Sequence, residues 1–135
     1  MSKNPPGMGY LPKNRVTEVS FDTYLARHME WAEKTFGPWD KTRAGQMGVE
    51  ARGPLGPLDH IKKEIVEIEA NPTDGMEWVD LIILGIDGYI RGGNPPSELL
   101  FHMLWKQKKN MMREWPNWQL AEPGKAIEHV KGMHD

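Results

Sequence analysis

Residues 60–93 read HIKKEIVEIEANPTDGMEWVDLIILGIDGYIRGG, and this stretch decides the fold. Its second half sets Trp78, Val79, Leu81, Ile82, Ile83, Leu84, Ile86, Tyr89 and Ile90 almost all the way round a helical period. Such a pattern predicts a helix buried on every side. Asp74 is placed to cap it and Gly92-Gly93 to end it. The first half carries Ile61, Ile65 and Ile68 as an apolar stripe beginning near Asp59, and Asn71-Pro72 stops it. A connection as short as Asn71–Asp74 folds the two helices antiparallel.

Working outward, Ser20 can cap a helix in which Phe21, Tyr24, Leu25, His28, Trp31, Ala32 and Phe36 recur at helical spacing up to Gly37-Pro38. Residues 37–58 are rich in glycine and proline and read as one long loop. A further helix opens at Asn94-Pro95-Pro96-Ser97 and runs through Leu100, Met103, Leu104, Met111 and Met112 to Trp115-Pro116. Residues 1–16 read as an extended arm and 119–135 as a tail of weak periodicity. No strand-like alternation appears. The expectation is an all-α, four-helix bundle, with residues 17–118 as a single catalytic domain.

The chain has 135 residues, 39% apolar and 27% charged, which suits one folded domain. Its net charge of −2 gives no basic surface for long DNA or RNA. A nucleotide is not excluded, because a metal and a few cations can meet its phosphates. The absence of cysteine removes disulfides and thiolate chemistry. Pro5, Pro6, Gly7 and Gly9 stand where a signal peptide needs an apolar run, and no stretch is long enough to cross a membrane. A cytoplasmic protein is expected. There is no P-loop and no GxGxxG.

Acids interrupt the apolar helix. Glu77, Asp80 and Asp87 fall within an arc of roughly 80° at about 100° per residue. Glu64 and Glu67 share a face of the preceding helix, so Glu64-x-x-Glu67 can confront Glu77-x-x-Asp80 across the hairpin. Converging carboxylates repel unless a cation joins them, and an all-oxygen set suits Mg²⁺ or Mn²⁺. Plainer roles exist. Glu77 can close a capping box with Asp74, and Lys63 can pair with Glu67. Asp80 and Asp87 lack a local basic partner on this reading, which favours the metal.

The pair EIVE (64–67) and EWVD (77–80) on successive helices resembles the ExxE…ExxD signature of the MazG-like all-α nucleoside triphosphate pyrophosphatases. Together with RHMEWAEKTFGP (27–38), residues 60–93 and KQKKNMMREWPNW (106–118), the chain is similar to their dATP/dGTP diphosphohydrolase branch, phage MazZ-type (d)GTP enzymes included. The resemblance implies hydrolysis of a nucleoside triphosphate to monophosphate and pyrophosphate. It implies Glu64, Glu67, Glu77 and Asp80 as metal ligands, with Glu64 or Glu67 as an alternative general base. The glycine- and proline-rich segment 43–58 departs from the expected pattern, so Lys41 and Arg43 take no role from it.

Lys106, Asn110 and Arg113 form one polar ridge that can contact phosphates, or else a cationic helix end that offsets the macrodipole. Trp31 and Trp78 are candidates for stacking on a purine. His28 reads as a core histidine bonded to a backbone carbonyl, and His60 as structural. A helix so apolar in so small a chain suggests a homodimer or homotetramer. Among rivals, a di-iron bundle calls for Glu-x-x-His, which neither Glu64 nor Glu77 provides. A non-catalytic nucleotide-binding helical protein and a general house-cleaning pyrophosphatase stay open.

Overall fold

A computed structural model describes residues 19–132, so the extended arm expected at 1–16 lies outside the described residues. All regular structure among them is helical: α1 (Phe21–Phe36), α2 (Lys41–Met47), α3 (Leu55–Ala70), α4 (Gly75–Arg91) and α5 (Leu99–Met112), with 3₁₀ turns at Pro96–Glu98 and Trp118–Leu120. The all-α expectation holds. The chain divides into two compact units, Met1–Pro96 and Ser97–Asp135.

In the first unit three of the four helix starts, those of α1, α2 and α4, carry side-chain caps. Ser20 Oγ accepts the Thr23 N–H at 3.1 Å and Asp74 Oδ1 accepts that of Met76 at 3.0 Å. The expected loop at 37–58 is corrected, because it contains α2 and the first turn of α3. Asp40 caps α2 by accepting from Thr42 N, and Gly48 ends it in the left-handed conformation, φ 71°. Only Ala44 of its seven residues is buried, so it left no apolar periodicity to find. Helix α3 starts at Leu55, four residues before Asp59. Pro57 is tolerated there because a first-turn N–H has no partner to lose.

Helices α3 and α4 make the most extensive contact between elements. They run antiparallel: a Cβ on Gly88 would sit 3.8 Å from that of Pro57, while Glu64 and Glu67 meet Glu77 at the other end. Helix α1 runs parallel to α4, since His28 bonds to Asp87 and Ala32 to Arg91, four residues on in each helix. Leu25, Ala32, Ala44, Ile68 and Ile90 form the apolar core of this unit. The expectation of a fully enclosed α4 is not met within one chain: Ile82 remains 61% exposed, and Trp78 and Val79 are exposed beside it.

The second unit holds α5 and the tail. The tail does not trail away, because its Val130 N–H returns to Glu114 O at 2.8 Å. No described helix is long and apolar enough to cross a membrane.

Candidate metal centre

Three of the four expected acids meet. Glu64 and Glu67, one turn apart on α3, and Glu77, in the first turn of α4, each bring a carboxylate oxygen within 4.8 Å of the others. Asp74 and the four-residue connection set the pairing, fixing where α4 begins against the end of α3. Glu64 is buried, at 3% exposure, and Glu77 is half-buried. Glu64 Oε1 and Glu77 Oε2 are enclosed without a hydrogen-bond donor. Two buried carboxylate oxygens without a donor are costly, and a cation or a proton is what satisfies them. The donor set therefore fits a hard divalent ion.

Without a cation, the proton takes that place. The Glu64 carboxyl in hydrogen-bonding reach, then burial, then the Glu64 charge, and after these the Glu67 carboxyl push the Glu77 carboxyl up to about 7. A carboxyl raised in the fold favours folding at low pH, and that contribution is lost as pH rises through its folded value. The metal-free protein should therefore melt at a lower temperature at pH 8 than at pH 5.5, and Mg²⁺ or Mn²⁺ should abolish most of the difference. A thermal scan in chelator across that range measures it. A flat profile without metal would show that the three acids do not share a proton.

Asp80, one turn beyond Glu77, is exposed and outside the trio. Glu77 makes no capping box: its N–H goes to Asp74 O, and the Asp74 N–H is taken by Asn71 O. Lys63 pairs with Asp59 at 3.7 Å, leaving Glu67 to the cluster. Trp78 flanks the acids, and its Nε1 donates to Pro72 O at 2.9 Å, which holds the indole against the connection. Trp31 is placed otherwise. The parallel register sets it level with Ile90, and thirteen residues of α4 separate that level from Glu77, roughly 20 Å at helical rise. His60 is exposed on α3.

Asp87 does not join the metal set, and the view that it lacks a basic partner is corrected. Arg91 Nε donates to its Oδ2 at 2.7 Å from one turn away, and His28 Nε2 donates to its Oδ1 at 3.1 Å. His28 is thus buried as expected but bonded to a carboxylate instead of a backbone carbonyl. Despite burial, which acts the other way, the His28 and Arg91 bonds hold the Asp87 carboxyl below its ordinary value. The Arg91 side chain is 1% exposed. Its Nη1 donates to Gly37 O and Arg52 O, each at 3.0 Å, and Nη2 to Ala32 O at 3.1 Å.

One guanidinium therefore clamps the end of α1 and both ends of the segment carrying α2, while lying over the Trp39 ring at 5.6 Å. The Arg52 N–H closes the same junction on Pro38 O at 2.7 Å. Gly37 has φ 93°, and a Cβ there would approach Arg52 Cγ to 3.1 Å, so the turn needs glycine. Sequence reading missed Arg91 as a hub. Its one local signal was the four-residue spacing from Asp87.

In the second unit the expected ridge forms in part. Arg113 Nη1 donates to Asn110 Oδ1 at 2.7 Å, with both residues half-buried, while Lys106 is exposed one turn earlier.

The sequence model of the dATP/dGTP pyrophosphohydrolases matches residues 24–133. Among curated proteins, the Eaa protein of Salmonella phage P22 is 35% identical over 96 residues, which cover 71% of this chain and 26% of that protein. The chain thus spans about a quarter of the length of this relative. No solved structure matches. The matched span contains the acid trio, Arg91 and the Asn110–Arg113 pair, and on that match the chain belongs to the dATP/dGTP pyrophosphohydrolase family.

Proposed function

We propose that this protein hydrolyses a purine deoxynucleoside triphosphate, dGTP foremost and dATP beside it, to the monophosphate and pyrophosphate, and so adjusts the nucleotide pool. The observation that carries the reading is the convergence of buried Glu64, half-buried Glu77 and exposed Glu67, with two enclosed oxygens lacking donors, in a chain of this family. These residues, joined by Asp80 from the next turn, would hold Mg²⁺ or Mn²⁺. A bound divalent ion supplies Lewis-acid polarisation of the phosphate and lowers the pKa of water.

The remaining work falls to side chains. Glu64 or Glu67 accepts the proton of the attacking water, a role that suits a carboxylate within reach of the nucleophile. Lys106 and Arg113 neutralise phosphate charge and Asn110 donates its amide to an oxygen. Trp78, beside Glu77, is favoured over Trp31 as the base-stacking surface, because of the distance along α4. Residues 17–118 act as the catalytic domain. A homodimer or homotetramer is favoured by the exposed Trp78, Val79 and Ile82 on α4. A deoxynucleotide substrate fits work in the cytoplasm, that of the host if the protein is phage-encoded.

Hydrolysis in ¹⁸O water tests the site of cleavage. Label in the monophosphate is the expected outcome, and label confined to phosphate or pyrophosphate would overturn attack at the α-phosphorus. Assays with the four deoxynucleotides in parallel test the base. Purines should be preferred, since a larger ring gains more by stacking. A clear pyrimidine preference would remove the substrate assignment.

A further inference from the structure

Three hydrogen bonds converge on Asn110 at the end of α5. Its side-chain Oδ1 accepts from Arg113 Nη1 at 2.7 Å, and its backbone oxygen accepts Trp115 Nε1 at 2.7 Å and the Arg113 N–H at 3.2 Å. The indole is therefore a second and shorter donor to a carbonyl of the last turn, which otherwise has only the Arg113 N–H. Trp115 is itself only half covered, at 45% exposure, and what stands against it is the returning tail. The His129 ring meets it edge-on, with centroids 5.7 Å apart and planes at 67°, and Val130 N–H is bonded to Glu114 O at 2.8 Å. Pro116 and Pro123 stiffen the segment between.

We propose that Trp115, held by the tail at His129 and Val130, is a positioning residue for Arg113. The tail holds the indole, the indole holds Asn110, and Asn110 holds the guanidinium that receives the triphosphate. This role rests on the phosphate contact proposed above for Lys106, Asn110 and Arg113. An arginine free to sample its rotamers must be immobilised when substrate binds, and that cost weakens binding. A guanidinium already fixed at Oδ1 of Asn110 meets the phosphate with the cost removed. The tail then acts on affinity, with the chemical step left as it was.

The test is steady-state kinetics with dGTP and Mg²⁺ on the full chain. Trp115→Phe keeps the ring and loses the N–H, and it should raise KM about three- to tenfold with kcat unchanged, the effect of one side chain left mobile. His129→Ala should do the same, and His129→Phe, which keeps an edge-to-face ring contact, should restore KM. In an Arg113→Ala background, Trp115→Phe should add nothing, because the residue it acts through is gone. If Trp115→Phe raises KM equally in both backgrounds, or lowers the melting temperature with KM unchanged, the positioning role is overturned. If Arg113→Ala alone leaves KM normal, the phosphate reading of the ridge falls, and the tail's role with it.

Discussion

Glu64→Gln should lower kcat at least about a hundredfold, since charge stabilisation by a bound divalent ion is worth several kcal/mol. The same variant should raise the melting temperature of the metal-free protein. Glu64 is buried beside Glu67 and Glu77, and its Oε1 has no donor. An amide removes one of three like charges and brings an N–H that Glu77 can accept, at nearly unchanged volume. Loss of activity with a gain in stability separates a ligand from a structural acid. Kinetics at saturating Mg²⁺ or Mn²⁺, paired with thermal scans in chelator, measure both. Near-normal kcat would remove Glu64 from the site, and a fall in melting temperature would make it part of the scaffold.

Arg91→Met should cost about 3–5 kcal/mol, the range for removing one partner of a buried ion pair. Methionine is of comparable length and apolar, so packing is retained while every donor is lost. Asp87 would keep only His28, and the carbonyls of Ala32, Gly37 and Arg52 would lose their bonds to the guanidinium. Against a total stability of about 5–15 kcal/mol, such a loss leaves a marginal fold. Urea unfolding with the midpoint and slope compared against the wild type reads it. A change under about 1 kcal/mol would mean that water or a rearranged loop replaces the clamp. The pH profile has a definite sign. Asp87 titrates below its ordinary value, so its contribution is present above about pH 5 and disappears as pH falls through the folded value. Arg91→Met should lose most of that acid-side dependence.

Helix positions were legible wherever a periodic stripe met a local cap. The sequence reading placed Ser20, Asp74, Asn71 and Gly37 correctly because each acts on its own chain within three or four residues. Helix α2 was not legible, since a seven-residue helix burying only Ala44 has no stripe. The trio of Glu64, Glu67 and Glu77 could be read from two spacings and one short turn. The fate of Asp87 could not, because an acid on an apolar helix looks the same whether a metal or a buried arginine satisfies it. Deciding between them takes a partner at 59 residues' separation, His28, and that pairing is set by how α1 docks. Enclosure of α4 was misjudged for a related reason: periodicity tells what a face prefers, and one chain does not supply enough neighbours to cover Ile82.

The clamp at Arg91 has a consequence for how this chain can diverge. Three of the four groups that accept from the guanidinium are main-chain carbonyls, and a carbonyl carries no residue identity. The segment between Gly37 and Arg52 can therefore lengthen, shorten or change its side chains, provided its two ends still deliver oxygens to the same place. Lysine cannot stand in at 91, because a single ammonium cannot reproduce the fork that spans Asp87 and three carbonyls. Glycine at 37 is the one sequence-specific demand at the far side. Inherited constraint is thus concentrated on a few side chains, Arg91, Asp87, His28 and Gly37, and the α2 lobe they hold is left free to vary.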